Sequence, residues 1–319
     1  MPPPTGSRLP QSATFTLPKE KPVLISQSSN ATVISEPTQI DAYNSTMPKF
    51  LIGQAELYYT VSGNHAGDWL LLIPGFASDT STWALMLPEL IQDYRILRLD
   101  NRGIGQSSTS EHEYRVTDLA QDIAVLLEHL GINAVHVAGH SLGGQIAQEL
   151  VFLAPEKVKS LILLATWAMP DPKFQALMQL LGDLATRLEM RFYLKSLVHW
   201  LFSQRFFATP QAINQIFQGI DSIPNLPSPQ ELAHQSQAII QSNTISRLVS
   251  IHCPTLILHG DQDLITPIKF AHQLAQGIPQ AQFAVLPETG HGSIIESSQL
   301  VTGAMLAFLE SLKGEGSKP

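Results

Sequence analysis

Charge is scarce in this chain. Of its 319 residues 14% are charged, and 19 Lys and Arg face 27 Asp and Glu, for a net charge of −8. No basic cluster breaks that balance, so the electrostatic footprint needed to bind nucleic acid is missing. Cysteine is nearly absent. Cys253 stands alone, which excludes an intramolecular disulfide framework and any multi-cysteine zinc site. It precedes the apolar run of HCPTLIL, the position of a small buried hydrophobe rather than of a nucleophile. No stretch approaches about 18 consecutive apolar residues, so no membrane-spanning helix is expected. The opening MPPPTGSRLPQSATF carries prolines where a secretory signal would need an apolar run. Together these absences point to a cytoplasmic protein. With 44% apolar residues the chain can still bury a large core.

Residues 1–47 are rich in Pro, Ser, Thr and Gln without periodicity, and are expected to form a disordered N-terminal tail. The pattern changes at Lys49. KFLIGQAELYYTVSG (49–63) reads as an antiparallel hairpin. Six apolar runs follow: WLLLIPG (69–75), RILRLD (95–100), AVHVAG (134–139), KSLILLA (159–165), PTLILHG (254–260) and AQFAVLP (281–287). Continuous rather than alternating apolarity suits strands buried on both faces of a parallel sheet. Helical periodicity fills the gaps in DLAQDIAVLLEHL, LGGQIAQELVFLAP and SQLVTGAMLAFLESL. Alternating strands and helices predict a doubly wound α/β core over 48–166 and 252–314. Between them, 167–251 has helical periodicity and no clear strand, as a helical cap inserted above the sheet would.

The chemistry concentrates in AVHVAGHSLGG (134–144), where a strand runs into Gly139-His140-Ser141-Leu142-Gly143 and a helix follows. This is a G-x-S-x-G nucleophile elbow in its strand–turn–helix setting. A turn that sharp forces its flanks together, so side chains at 139 and 143 would clash and glycine is required. The turn also leaves Ser141 at a helix start, where free backbone N–H groups can meet a developing negative charge. Serine needs a base to take its proton, and the base needs an orienting acid. Asp261 and Asp263 in LILHGDQDLITP, and His291 in FAVLPETGHG, lie just past strands, where open α/β sheets place their sites.

Ten other histidines lack that setting. His140 is expected to point away from the catalytic face, His136 to sit in the core, and His259 to tune the acid loop. The rest are expected on the surface or in the cap. No histidine pairs with carboxylates at metal-ligand spacing, so neither a metal nor another cofactor is expected. Asp100-Asn101-Arg102-Gly103-Ile104-Gly105 lacks the third glycine and following helix of a dinucleotide fingerprint.

IPGF (73–76), DNRGIGQSS (100–108), GHSLGG (139–144) and the pair HGDQDLITP and PETGHG occur in an order that resembles the α/β-hydrolase superfamily. The likeness runs from about Lys49 to Leu312 and is greatest to cap-bearing esterases and 3-oxoadipate enol-lactonases. It implies an α/β-hydrolase fold, with a mostly parallel central sheet flanked by helices and a helical cap. It implies Asp263 as the acid, with Asp261 shaping the loop, and an oxyanion hole from the Phe76 and Leu142 N–H groups. The 100–105 turn becomes a buttress beneath the site. One departure is Pro74-Gly75 where relatives often carry His-Gly; proline offers no N–H, but Phe76 does.

The expected function is hydrolysis of a small, apolar carboxylic ester or lactone through a Ser141-His291-Asp263 triad and an acyl-enzyme. The expected partner is therefore a small-molecule ester, with no nucleic acid and no membrane span. The apolar cap, with Phe174, Leu181 and Trp200 among its residues, favours an apolar acyl or aryl group. The same triad also serves C–C bond hydrolases, thioesterases and acyltransferases, and cofactor-free perhydrolases. A non-catalytic ligand receptor on this fold is a further alternative. Serine at 141 argues against the branches that use an aspartate nucleophile.

Overall fold

The computed structural model describes residues 13–18, 48–53, 55–110 and 112–315. Its strands are β1 (Ala13–Thr14), β2 (Lys49–Ile52), β3 (Ala55–Gly63), β4 (Trp69–Ile73), β5 (Arg95–Leu99), β6 (Val135–His140), β7 (Val158–Leu164), β8 (Thr255–Gly260) and β9 (Gln282–Leu286). They form one nine-stranded sheet in the order β1-β9-β8-β7-β6-β4-β5-β3-β2. Pairing is parallel from β1 through β5 in that order, and antiparallel where β3 meets β5 and β2 meets β3. The expected hairpin is β2–β3, with Gly53 at φ 60 in its turn.

Period-two alternation divides the apolar strand residues between the two faces of the sheet. Leu71, Ile73, Leu97, Val137, Leu161 and Ile257 join one core with the helices α2 (Val116–His129), α3 (Leu142–Leu153) and α9 (Lys269–Gly277). Leu70, Leu72, Ile96, Ala138, Ile162 and Leu256 join the other with α1 (Leu87–Asp93) and α11 (Ser298–Glu315). Both faces are covered, which is why these strands read as unbroken apolar runs.

Between β7 and β8 lie α4 (Pro172–Ala185), α5 (Met190–Leu201), α6 (Gln204–Phe207), α7 (Pro210–Ser222) and α8 (Pro229–Gln241), and the short α10 (Ser293–Glu296) precedes α11. Their starts are written locally. Asp171 and Ser228 accept hydrogen bonds from the Phe174 and Glu231 N–H groups, and Pro172, Pro210 and Pro229 occupy first helical turns. No strand lies within this insertion among the described residues. Phe174, Met178 and Leu181 of α4, Leu197 of α5 and Ile239 of α8 belong to the same core cluster as the buried faces of α2, α3 and α9.

One segment expected in the N-terminal tail departs from that reading. Ala13 and Thr14 pair with Gln282 and Phe283 as a parallel edge strand, and the Phe15 N–H donates to the Phe283 carbonyl at 2.9 Å. Phe15 and Leu17 pack against the α11 face of the core. Phe15 and Leu17 lie just past the strand, an apolar pair hidden by the polar composition around them. Most of the remaining tail lies outside the described residues. Cys253 is half-buried, and burial pushes its thiol up to about 11.

Strand order reverses where β4 has β6 on one side and β5 on the other. Loops leaving β4 and β6 therefore diverge to opposite faces of the sheet and leave a crevice at its carboxyl edge. Ser141 follows β6 and Phe76 follows β4, so the topology sets both at that crevice.

Candidate active site

Ser141 has φ 54 and ψ −117, a conformation that is costly for any residue with a side chain. The surroundings enforce it. The Ser141 N–H donates to Leu164 O at 2.9 Å, its carbonyl accepts from Thr166 Oγ1 at 2.8 Å, and the Gly144 N–H closes the turn at 2.9 Å. A Cβ on Gly139 would lie 2.2 Å from the Gly143 carbonyl oxygen, the clash expected of the elbow.

His291 Nε2 lies 2.9 Å from Ser141 Oγ, and His291 Nδ1 lies 2.8 Å from Asp263 Oδ2. The three predicted residues thus form one continuous hydrogen-bonded chain, all buried. Asp263 Oδ1 accepts from the Ile265 and Thr266 N–H groups at 2.9 and 2.8 Å, and Oδ2 accepts from the Thr266 hydroxyl at 2.8 Å. Burial alone would raise the Asp263 carboxyl. Attraction to His291 and hydrogen bonds from His259 and His291 outweigh it and hold the group well below the usual carboxylate range. Asp261 is exposed and accepts from the Thr289 N–H at 3.3 Å, so it shapes the loop while Asp263 faces His291.

His140 differs from expectation. Its Nε2 lies 2.9 Å from the His291 carbonyl, and its ring stands 5.2 Å from the His291 ring at the wall of the cavity above Ser141. The elbow turns Ser141 sharply, but the residue before it still follows the strand direction and reaches toward the His291 loop. Burial, with help from the nearby His291 charge, pushes His140 down to about 3, so it is neutral across ordinary pH. His136 bonds Ser160 Oγ at 2.8 Å inside the sheet. His259 Nε2 lies 3.4 Å from Asp263 Oδ2 and meets the Thr266 carbonyl.

The 100–105 turn carries the floor. Asp100 accepts from the Thr80 and Gln106 N–H groups at 2.8 and 2.9 Å, and Asn101 Nδ2 donates to Pro74 O at 3.3 Å. Burial pushes the Asp100 carboxyl up to about 6 in spite of those bonds.

Three contributors escaped the sequence reading. Thr266 donates its hydroxyl to Asp263 Oδ2, the oxygen that also faces His291. Glu296 accepts from the Gly290 N–H at 2.6 Å and from the Ser203 hydroxyl at 2.6 Å, tying the His291 loop to the cap. Gln235 of α8 accepts the Ala77 N–H at 2.9 Å. Ser203 lies 93 residues from Glu296 and Ala77 lies 158 from Gln235; Thr266, three residues after Asp263, was an available sign of an Asp-capped turn.

A cavity of about 60 Å³ meets Ser141 and His291, walled by Gly75, Phe76, Trp167, Phe174, Met178, Leu181, Leu197, Leu201, Ile239 and Ile265. Phe76 and Ser141 share this wall, and Leu142, next after Ser141, is the first residue of α3. A larger hollow of about 340 Å³ lies between Arg115, Glu149 and Arg247. It contains none of the triad residues, and the two-pronged Arg247–Glu149 ion pair at 2.8 and 2.5 Å already uses its strongest charges. Ser141 and His291 line the smaller, apolar cavity instead. Among the described residues no helix is long and apolar enough to cross a membrane.

The geometry agrees with what the chain is similar to. A protein from Caulobacter sp. (strain K31) named "Putative carbamate hydrolase RutD" is 26% identical over 260 residues, covering 79% of this chain and 95% of that protein. The thermophilic esterase from Thermogutta terrifontis superimposes with a TM-score of 0.72 at 29% identity, covering 81% of this chain and 94% of the other. The enol-lactonase from Burkholderia xenovorans LB400 shares the fold, with a TM-score of 0.74 at 23% identity, over 82% of this chain and all (100%) of the other. The model of the α/β-hydrolase fold family matches residues 68–298. With the sheet order, the elbow and that match in agreement, the chain belongs to the α/β-hydrolase fold family.

Proposed function

We propose that this protein is a serine hydrolase that cleaves small carboxylic esters or lactones through an acyl-enzyme. The observation that carries the reading is the unbroken chain from Ser141 Oγ through His291 to Asp263, at 2.9 and 2.8 Å. Asp263 holds the Nδ1 proton, which leaves the Nε2 lone pair aimed at the serine hydroxyl. As Ser141 Oγ attacks the carbonyl carbon, its proton passes to His291 Nε2. Asp263, ionised and held by two backbone N–H groups, stabilises the resulting imidazolium. The Phe76 and Leu142 N–H groups receive the charge that develops on the carbonyl oxygen. The tetrahedral species collapses, the alcohol leaves with the proton from His291, and water repeats the sequence to release the acid.

The cavity sets the scale of the acyl group. At about 60 Å³ it has room for only a few heavy atoms, and its walls are apolar. We therefore assign a short, uncharged acyl group to it. Similarity to the Caulobacter protein favours a carbamate as a second reading, because a carbamoyl group has the same size and the same trigonal carbonyl.

Purified protein given p-nitrophenyl acetate, butyrate and octanoate, with a phenyl carbamate in parallel, tests both readings. Turnover is expected to be greatest for acetate and to vanish in Ser141→Ala, together with labelling by a fluorophosphonate. An unlabelled wild type that hydrolyses none of these substrates would sink the serine-hydrolase reading.

A further inference from the structure

We propose that Gln235, on cap helix α8, is a positioning residue that sets the oxyanion-hole loop, so that this loop is correctly shaped only while the cap is seated. The inference rests on the serine-hydrolase reading above and goes beyond it by naming a residue outside the triad.

Gln235 is fully buried, and its Oε1 accepts the backbone N–H of Ala77 at 2.9 Å. That N–H immediately follows Phe76, whose own N–H is assigned to the oxyanion. Ala77 has φ 57, a left-handed backbone that alanine adopts only when neighbours hold it there. On the other side of Phe76, Asn101 Nδ2 donates to the Pro74 carbonyl at 3.3 Å. Phe76 is thus bracketed by two side-chain hydrogen bonds, one from the sheet domain and one from the cap. Among the described residues, the hydrogen bonds within the loop itself are short-range, from Ser78 to Gly75 and Phe76.

The other end of the Gln235 amide makes the case sharper. Nε2 is buried without a hydrogen-bond partner, an arrangement that costs stability. An apolar side chain of similar length would avoid that cost but could not accept from Ala77. The amide is thus matched to the Ala77 N–H and not to its own packing.

Helix α8 grips a second site-forming loop through the same face. Glu231, one turn before Gln235, is buried and accepts from the Ser110 N–H at 2.5 Å. Ile239, one turn after Gln235, lines the cavity beside Ser141. Residues 231, 235 and 239 follow the four-residue spacing of one helix face. A single cap helix therefore holds the loop after β5, holds the loop after β4 and walls the acyl cavity. Moving α8 away would release Ala77 and relax the oxyanion loop in the same motion.

The test compares wild type with Gln235→Met, which keeps the length but loses the acceptor, and Gln235→Glu, which keeps a carboxyl oxygen in the same place. For Gln235→Met, kcat on p-nitrophenyl acetate is expected to fall about 10- to 100-fold, with KM within about threefold of wild type, because misplacing one transition-state donor spares ground-state binding. Affinity for a trifluoromethyl ketone, which forms a tetrahedral adduct, should fall in parallel with kcat/KM. Gln235→Glu should recover most of the rate. Amide hydrogen exchange of the peptide spanning residues 74–79 gives a readout that needs no turnover, and exchange in Gln235→Met should be at least about tenfold faster. Unchanged exchange there overturns the proposal even if the ester reading stands. An effect confined to KM, or an equal loss in Gln235→Glu and Gln235→Met, overturns it as well. A wild type that hydrolyses no ester but shows the exchange difference would reject the function and keep Gln235 as the holder of this loop.

Discussion

Gly143 and Ile73 touch backbone to backbone: a Cβ on Gly143 would stand 2.1 Å from the Ile73 carbonyl oxygen. Helix α3 leaves the elbow directly against the end of β4, and no side chain fits between them. Gly143→Ala must therefore push the helix start off the strand or distort Ser141. The expected cost is about 3 kcal/mol, at the upper end for overpacking. Thermal unfolding should show it as a lowered midpoint, with loss of serine labelling in whatever protein still folds. A midpoint within a degree of wild type would show that the contact yields easily.

The triad residues should act as a unit. Asp263→Asn, whose amide oxygen stays with the Ile265 and Thr266 N–H groups and so turns an NH2 donor toward Nδ1, is expected to lower kcat by about 10⁴, and His291→Gln by a similar factor. The double variant should be little worse than either single one. Steady-state kinetics with p-nitrophenyl acetate measure this directly. Losses that multiply in the double variant would mean that the two residues work independently.

Acyl length should follow the cavity wall. Leu181 of α4 lines the cavity and is buried. Leu181→Ala removes three carbons from that wall and should shift preference from acetate toward butyrate by about tenfold in relative kcat/KM, at a stability cost of about 3 kcal/mol. Competition between the two esters in one reaction reads the ratio without active-site titration. A ratio equal to wild type would place the acyl group elsewhere.

Acid should destabilise the fold through two histidines before it reaches Asp263. Burial pushes His136 down to about 4 and His140 to about 3, both from 6.5. Between 6.5 and those values the unfolded chain binds more protons, so stability present above pH 6.5 is lost as pH falls. Asp100, pushed up to about 6, acts in the opposite sense, since the folded state binds its proton more tightly between 3.8 and 6. Two histidines outweigh one carboxyl, for a net loss on the order of 2 kcal/mol between pH 7 and pH 5. Urea unfolding midpoints at the two pH values check this. An equal or higher midpoint at pH 5 would contradict it.

The N-terminal arm should matter for stability and not for turnover. Residues 1–18 include β1, which covers the outer edge of β9, and Phe15 and Leu17, which pack beside α11. Deleting them is expected to cost about 2 kcal/mol and to promote association through the uncovered strand. Sedimentation and thermal unfolding report both effects, while kcat should remain within twofold. A truncated protein as stable and as dispersed as the full chain would show that the arm is dispensable.

By itself the sequence determined whatever is contiguous. The elbow over Gly139–Gly143 is local, because strand, turn and helix signals are adjacent there. The apolar runs marked strands buried on both faces, and the β2–β3 hairpin followed from its own turn. The loops carrying Asp261, Asp263 and His291 stood out because each lies just beyond a strand, and the choice of Asp263 over Asp261 came from the family resemblance. Tertiary structure decided how distant residues meet. Helical periodicity over 167–251 marked a helical insertion, but not that Gln235 within it meets the Ala77 N–H, 158 residues away. It could not show that His140 bends toward the His291 carbonyl, or that Ala13 and Thr14 close the sheet edge. Periodicity reports which side of an element is apolar. Which backbone group a buried polar atom finds depends on how the elements cross, and that is settled only when the whole core packs.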